Sequence, residues 1–293
     1  MQKWYPNITV EYEAGGSADL AQIINTRIAG GAPPDIVMAS SSYYISDWVQ
    51  AGAVRDVTSY WEKYNLYDMV PGGLTNTFLF DGNLYGIPLG SGQNNIFYWN
   101  ANVLNDAGVA LPPYETWDEA LAVAEEFKAN SDLPFYVEGY SPAWFGMAKT
   151  LALGASRFGV ELYERILNGV ATEEDFRNIL SFHKSLVQTA GNQDYISTNG
   201  IAGVMEVTSR GDGATAFGGT WGYPRFADIG MELDAEWGMG ALPGSKMFLF
   251  VPVGFMVMEN SGQEQFAEAV AVTAMLKETK YVINAGKGNV RAR

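Results

Sequence analysis

The stretch Gly30-Gly-Ala-Pro-Pro-Asp-Ile-Val-Met-Ala-Ser-Ser-Ser-Tyr-Tyr44 decides the fold class of this chain. Its two glycines end a helix, and the two prolines after them prevent the helix from resuming. Asp35–Ala39 then predicts a short buried strand, because its apolar run is bounded by turn residues. Open α/β sheets present ligand-binding groups at the carboxyl ends of such strands. Three serines and two tyrosines stand at this position and suit a small polar ligand with flat apolar faces. The candidate ligand-binding residues among them are Ser40, Ser41, Tyr43 and Tyr44.

The chain is acidic and contains no cysteine. It has 293 residues and a formal net charge of -15, with only 18 lysines and arginines. Such a surface repels phosphate groups, so we expect neither nucleic acid nor an anionic membrane as a partner. The lack of cysteine excludes disulfides, thiolate metal sites and a cysteine nucleophile. The length is sufficient for two domains with substantial cores.

Patterns of strands and helices alternate along the chain. Ile8 to Tyr12 alternates apolar and polar residues, which predicts a strand. Apolar residues at helical spacing from Leu20 to Ile28 predict a helix between this strand and Asp35–Ala39. Strand, helix and strand make one βαβ unit, so the sequence predicts an α/β fold with a parallel sheet. Thr116 and Thr172 predict the N-caps of two longer helices.

Two polar, glycine-containing segments are candidates for crossings between two lobes. The first is Gly90–Asn94, and the second is Leu242–Ser245. They divide the chain into lobe 1, formed by residues 1–92 and 246–283, and lobe 2, formed by residues 95–243.

Searches for catalytic and metal-binding motifs give little. His183 is the single histidine and lies on an apolar helical stripe, which favours a packing role over catalysis. The glycine-containing turns complete neither a P-loop nor a dinucleotide-binding motif. A nucleophile elbow is also absent from the sequence. A pair of carboxylates of the glycosidase type stays open, because spatial proximity is not visible in sequence.

A set of aromatic and amide residues remains, placed at the predicted crossing and after predicted strands. Aromatic faces stack on the C–H faces of sugar rings, while amides and carboxylates bind hydroxyl groups. Loops at strand ends commonly carry binding residues, which favours ligand contact over core packing for the two tryptophans. The candidate ligand-binding residues of this set are Gln93, Asn94, Asn95, Glu138, Tyr140, Trp144 and Trp221.

Short motifs are distributed over nearly the whole chain and include Gly30–Val37, Ala51–Asp56, Asp81–Pro88, Asn100–Leu104, Phe217–Trp221 and Leu242–Gly244. In this order and spacing they resemble the extracellular solute-binding proteins of bacterial carbohydrate ABC transporters, the family of maltose- and glucose-binding proteins. The resemblance implies a two-lobed periplasmic-binding-protein-like fold of type II, with mainly parallel sheets flanked by helices and a ligand cleft between the lobes. In it, Trp221 matches the aromatic that stacks on the sugar, and Ser40 to Tyr44 match a ligand-contacting loop.

The resemblance also implies how the protein works. We expect a monomer outside the cytoplasm, periplasmic or lipid-anchored, that binds a mono- or oligosaccharide and delivers it to membrane permease subunits. We expect no catalysis, metal or cofactor. From the family pattern we expect that the chain as given starts after the first strand and its signal segment, and that residues 284–293 begin a return to lobe 2 whose remainder would follow. The alternatives are a glycoside hydrolase with a carboxylate pair, or a partial gene product without a function.

Overall fold

The computed structural model describes residues 6–7, 9–13, 20–39, 42–70, 72–141, 143–191, 200–263, 267 and 271, with the backbone alone for residues 42–44, 143, 201 and 202. The chain forms two compact units. Unit 1 comprises Met1–Gly92 and Val251–Arg293, and unit 2 comprises Gln93–Phe250. The chain therefore leaves unit 1 once and returns to it once. Residues 284–293, expected to begin a return to the second lobe, lie outside the described residues.

Unit 1 contains a three-stranded sheet, a two-stranded hairpin and four α-helices within the described residues. In the larger sheet β9 lies between β1 and β4, and it runs antiparallel to β1 with Ile36 opposite Val257. The hairpin pairs β2 with β3. The helices and strands are α1 (Leu20–Ala29), β1 (Ile36–Ala39), α2 (Ser42–Gln50), α3 (Thr58–Lys63), α4 (Gly72–Thr75), β2 (Leu79–Phe80), β3 (Asn83–Leu84), β4 (Ile87–Gln93) and β9 (Phe250–Val257).

The core of unit 1 is built around large aromatic side chains whose polar atoms are satisfied. Trp61 and Phe78 are fully buried among aliphatic residues of the sheet. The Trp61 indole N–H donates to the carbonyl oxygen of Gly86 at 2.8 Å, and that of Trp48 donates to Asn25 at 2.7 Å. Burial of these rings therefore leaves neither indole N–H without an acceptor.

Unit 2 contains a four-stranded sheet in the order β6-β7-β5-β8 with helices packed against it. β5 runs antiparallel to β7 and β8, while β6 and β7 are parallel. The helices and strands are β5 (Ile96–Asn100), α5 (Ala101–Asp106), α6 (Trp117–Asn130), β6 (Tyr136–Val137), α7 (Ala143–Phe158), α8 (Val160–Leu167), α9 (Glu173–Ala190), α10 (Ile201–Arg210), β7 (Thr215–Gly218), α11 (Tyr223–Ala227) and β8 (Trp237–Ala241).

Two of the long helices of unit 2, α6 and α9, begin where the sequence predicts. The Thr116 hydroxyl accepts from the backbone N–H of Glu119 at 3.2 Å and caps α6. Thr172 and Asp175 form a reciprocal capping box at the start of α9. These bonds satisfy backbone donors that a helix leaves free at its first turn. Both threonine caps are confirmed.

The structure corrects three expectations about the fold. The predicted parallel sheets are mainly antiparallel in their described pairings, because β9 and β5 enter their sheets from distant parts of the chain instead of following a βαβ crossover. Thr9 to Tyr12 is not a strand, and its described residues are exposed, with Tyr12 at 80%. Residues 246–250, assigned to lobe 1, group with unit 2, where Leu249 bonds to Asn95.

Candidate functional site

The loop after β7 is held in place by the segment that opens unit 2. The Tyr98 hydroxyl donates to the carbonyl oxygen of Gly219 at 2.7 Å. The backbone N–H of Gln93 donates to the Thr220 hydroxyl at 3.2 Å. Together with the side-chain bond described next, these contacts fix three consecutive loop residues against one short stretch of chain.

Trp221 is fixed through its only polar atom. Its indole N–H donates to the side-chain oxygen of Asn94 at 3.0 Å. Its ring meets Phe145 edge-on with centroids 5.9 Å apart, and Phe145 packs in the same way on Trp144 at 6.0 Å. Trp144 and Trp221 are both half-buried, so each ring packs on the core and keeps some area open to solvent. This aromatic row combines a rigid base with accessible ring surface.

Phe145 was not among the predicted site residues, although it joins them. It is 1% exposed and contacts both Trp221 and Trp144. The Lys149 ammonium lies 5.5 Å from its ring centroid. The signal in the sequence was the position of Phe145 directly after Trp144, at the start of one helix. It was ambiguous, because neighbouring side chains on a helix point in different directions.

Gly219 is necessary for the close approach of these groups. A β-carbon at this position would lie 2.5 Å from the carbonyl oxygen of Gln93 and 2.6 Å from the side-chain oxygen of Asn94. It would also collide with the indole nitrogen of Trp221. The loop can therefore bring the indole to Asn94 only because residue 219 has no side chain.

Asn95 is saturated with hydrogen bonds and ties the start of β5 to the segment near residue 248. Its oxygen accepts from the Leu249 backbone N–H at 2.9 Å and from Gln93 at 3.3 Å. Its amide donates to the Met247 carbonyl at 2.7 Å and to the Ser245 hydroxyl at 3.4 Å. With 1% of its surface exposed, Asn95 organises the local backbone and has no free group for a ligand.

Glu138 lies in a buried cluster of charged and polar groups. The carboxylate is 0% exposed and forms an ion pair with Lys149, which is 1% exposed. It also bonds to His183 Nε2 at 3.1 Å, and His183 in turn bonds to the Tyr140 hydroxyl at 2.9 Å. Lys149 further donates to the Gly139 carbonyl at 2.6 Å. The two predicted residues Glu138 and Tyr140 are thus brought together, with their polar atoms directed at Lys149 and His183.

Burial sets the protonation behaviour of this cluster. Desolvation lowers the pKa of Lys149 from its ordinary value, while the Glu138 carboxylate paired with it favours the charged ammonium. Desolvation, aided by the positive charge of Lys149, lowers the pKa of His183 to about 3, so the imidazole is neutral at pH 7. Burial also raises the pKa of Tyr140 and of the fully buried Tyr136. Lys149 therefore balances the charge of the Glu138 carboxylate inside the fold, where solvent does not reach it.

Lys149 is the member of the cluster that the sequence analysis missed. It is the one charged residue in the first fourteen of α7, whose other residues there are apolar, small or Thr150. A lone cation on such a helix indicates a buried partner, since an unpaired buried charge is very unfavourable. The signal was present, but it does not identify which of the many carboxylates is the partner.

A groove of about 450 Å³ lies between α7 and α9 in unit 2. The groove is lined mainly by apolar residues, and three of these residues are strongly exposed: Met147, Phe176 and Leu180. The Tyr140 hydroxyl at its edge is already bonded to His183. Few polar groups are available there for a ligand rich in hydroxyls, so we do not place the sugar site in this groove.

The remaining predicted site residues belong to unit 1. Ser40 and Ser41 lie outside the described residues, and Tyr43 and Tyr44 belong to α2, where only the backbone is described. Within the described ranges, no cluster of three or more histidine, aspartate or glutamate side chains could hold a metal ion. None of the described helices is long and apolar enough to cross a membrane.

Comparisons with known proteins place this architecture in a family. Xylose/arabinose-binding protein XacG of Haloferax volcanii is 22% identical over 298 residues, covering 99% of this chain and 64% of XacG. An uncharacterized ABC transporter extracellular-binding protein of Pyrococcus horikoshii is 22% identical over 247 residues, covering 83% of this chain and 55% of that protein. The chain thus spans between about half and two thirds of the length of these curated relatives.

A solved structure shares the fold. An ABC transporter solute-binding protein from Thermotoga lettingae, bound with α-D-tagatose, superposes with a TM-score of 0.80 at 16% identity, covering 99% of this chain and 74% of that one. Residues 1–280 match the family described as bacterial extracellular solute-binding protein. The α/β fold predicted from the sequence is therefore confirmed, and this chain belongs to the bacterial extracellular solute-binding protein family.

Proposed function

We propose that this protein binds a carbohydrate and that Trp221 and Trp144 of unit 2 supply the stacking surface. The observation that carries the proposal is the half-buried aromatic row, in which Trp221 is held by Asn94 and by the edge of Phe145. A fixed indole face loses little conformational entropy when a sugar ring stacks on it. The family membership and the sugars named for the Haloferax and Thermotoga proteins support the same ligand class.

Fewer of the predicted polar residues are accessible to a ligand than the sequence analysis proposed. Asn94 is half-exposed beside Trp221, whereas Glu138 and Asn95 are buried and fully engaged with protein groups. We propose that these two residues stabilise the surrounding fold and do not contact the ligand. Ser40, Ser41, Tyr43 and Tyr44 stay candidates for ligand contacts from unit 1, on the basis of the resemblance alone.

We further propose that the protein performs no covalent chemistry. Among the predicted site residues Glu138 is the only carboxylate, and its ion pair with Lys149 closes it to solvent. The family supports a role in capture and in delivery to the membrane subunits of an ABC importer. On this proposal the protein works as a monomer outside the cytoplasmic membrane, either periplasmic or lipid-anchored. A reducing-sugar assay that showed turnover would instead favour a glycoside hydrolase.

The test is a binding measurement on the full chain. Isothermal titration with xylose, arabinose and tagatose is expected to give saturable binding of at least one sugar. Trp221→Ala should weaken that binding about 30-fold or more, as loss of a central aromatic contact does. Phe158→Ala is the matched control, since this 41% exposed ring lies at the far end of α7 and should leave affinity unchanged. Equal affinities for Trp221→Ala and the unmutated chain would refute the assigned surface.

A further inference from the structure

Hydrogen bonds hold both the backbone and the side chain of Asn94. Its backbone N–H donates to the carbonyl oxygen of Leu249 at 2.7 Å. Its side-chain oxygen accepts the Trp221 indole N–H at 3.0 Å, from a residue 127 positions away in sequence. A fixed backbone therefore presents a fixed acceptor to the indole.

The chemistry of the two partners leaves one orientation for the amide. An indole N–H can only donate, so it must face the oxygen and not the amino group of Asn94. The amino group consequently points away from the indole, and the described part of the chain gives it no acceptor. Asn94 could thus influence a ligand in two ways, by holding Trp221 or by donating from its own amino group.

The surroundings are built for the contact with Trp221. Residue 219 is a glycine at the one place where a β-carbon would meet both the indole nitrogen and the Asn94 oxygen. Thr220 is held by the backbone of Gln93, the residue before Asn94. Two neighbouring features of the fold therefore support the pairing of Asn94 with Trp221.

We propose that Asn94 is a positioning residue for the Trp221 ring and contributes to ligand binding through it, not by contacting the ligand. The proposal rests on the function proposed above. Its consequence for specificity is that Trp221 offers a ligand only its ring face, because its single donor is occupied. The side chain thereby selects for an apolar ring face and against a ligand that requires a hydrogen bond from the indole.

Substitutions at Asn94 separate the two roles. Asn94→Ala removes both acceptor and amino group, whereas Asn94→Asp keeps the acceptor for the indole and removes the amino group. We expect Asn94→Ala to weaken sugar binding about two- to tenfold, the usual range for one hydrogen bond, and Asn94→Asp to retain nearly full affinity. In a Trp221→Phe background, Asn94→Ala should cause no further loss.

A ligand-independent readout uses fluorine NMR of the full chain labelled with 5-fluorotryptophan. The protein has eight tryptophans, and the Trp221 resonance is the one that disappears in Trp221→Phe. We expect Asn94→Ala to shift or broaden this resonance and Asn94→Asp to leave it sharp. Asn105→Ala, an exposed asparagine in α5, is the matched control and should leave it unchanged.

The outcomes distinguish this inference from the proposed function. If Trp221→Ala binds sugar like the unmutated chain, the proposed site is refuted, while the NMR measurement still tests the role of Asn94. If Trp221→Ala weakens binding but Asn94→Asp loses as much as Asn94→Ala, the amino group is a ligand contact and the positioning role is overturned. Additive losses in the Trp221→Phe background, or an unmoved Trp221 resonance in Asn94→Ala, overturn it as well.

Discussion

Replacing Glu138 by glutamine removes the charge that balances Lys149 inside unit 2. The carboxylate is 0% exposed and the ammonium 1% exposed, so solvent cannot take over the role of the lost partner. The glutamine oxygen can still accept from His183, which lies 3.1 Å from the carboxylate. The substitution therefore isolates the cost of an uncompensated buried charge and does not leave a cavity.

The expected magnitude follows from this burial. Breaking a buried pair by neutralising one partner destabilises a protein by about 3–5 kcal/mol. For a domain of this size each kcal/mol lowers the melting temperature by about 2–4 °C, so the expected loss is about 6–20 °C. The second substitution Lys149→Met should recover most of the loss in the Glu138→Gln background, because it removes the unpaired charge and keeps an apolar chain of similar length.

The assay is thermal unfolding of the full chain followed by circular dichroism at pH 7. Glu173→Gln is the matched control, since it makes the same change in a surface pair with Arg177 whose side chains are 79% and 73% exposed. Exposed pairs contribute about 0–1 kcal/mol, so this variant should melt close to the unmutated chain. A Glu138→Gln variant that melts with Glu173→Gln, or one that Lys149→Met fails to rescue, would refute the argument.

Three further predictions follow from the buried contacts. The pKa of His183 is about 3 in the fold and 6.5 in the unfolded chain, so the unfolded chain binds one more proton between these pH values. The free energy of unfolding, measured with urea, should therefore fall as the pH falls from 6.5. It should fall by about 1.4 kcal/mol more per pH unit for the unmutated chain than for His183→Gln. Gly219→Ala should lower both sugar affinity and melting temperature, whereas Gly73→Ala, with open space around it, should change neither. Asn95→Ala should destabilise the fold by about 1–3 kcal/mol, because the partly buried N–H of Leu249 loses its acceptor; a melting temperature equal to that of the unmutated chain would contradict the role assigned to Asn95.

The local features of the fold could be predicted from the sequence. Thr116 and Thr172 cap their helices through bonds that span three residues. The strand at Asp35–Ala39 is bounded by glycines and prolines next to it, and the structure has β1 at Ile36–Ala39. Such signals are legible because the interacting groups are close in the chain.

The order and direction of the strands could not be predicted in this way. The sequence places β1 after a helix, which indicates a parallel βαβ unit, yet its neighbour β9 comes from near residue 254 and runs the other way. Pairing between distant strands depends on how the whole chain packs, and no local pattern encodes it.

The candidate site shows the same difference between local features, which the sequence indicates, and long-range pairings, which it does not. Residue types and predicted positions made Trp221, Asn94, Glu138 and Tyr140 candidates for the site, but they did not assign the partners of these residues. Asn94 meets Trp221 across 127 positions, and Glu138 meets His183 across 45. Lys149 forms a buried ion pair with Glu138, which leaves the carboxylate unavailable to a ligand. The sequence gave only an ambiguous signal for Lys149.

The sequence by itself determined the α/β class, the helix caps and the acidic, cysteine-free chemistry of the chain, because these depend on residue type and short spacing. Only the tertiary structure decided which polar side chains keep a free surface. Burial makes Glu138 and Asn95 structural, while Asn94 and Trp221 stay half-exposed and hold each other in place. The physical reason is that exposure and pairing are properties of packed surfaces, which form only when distant segments of the chain meet.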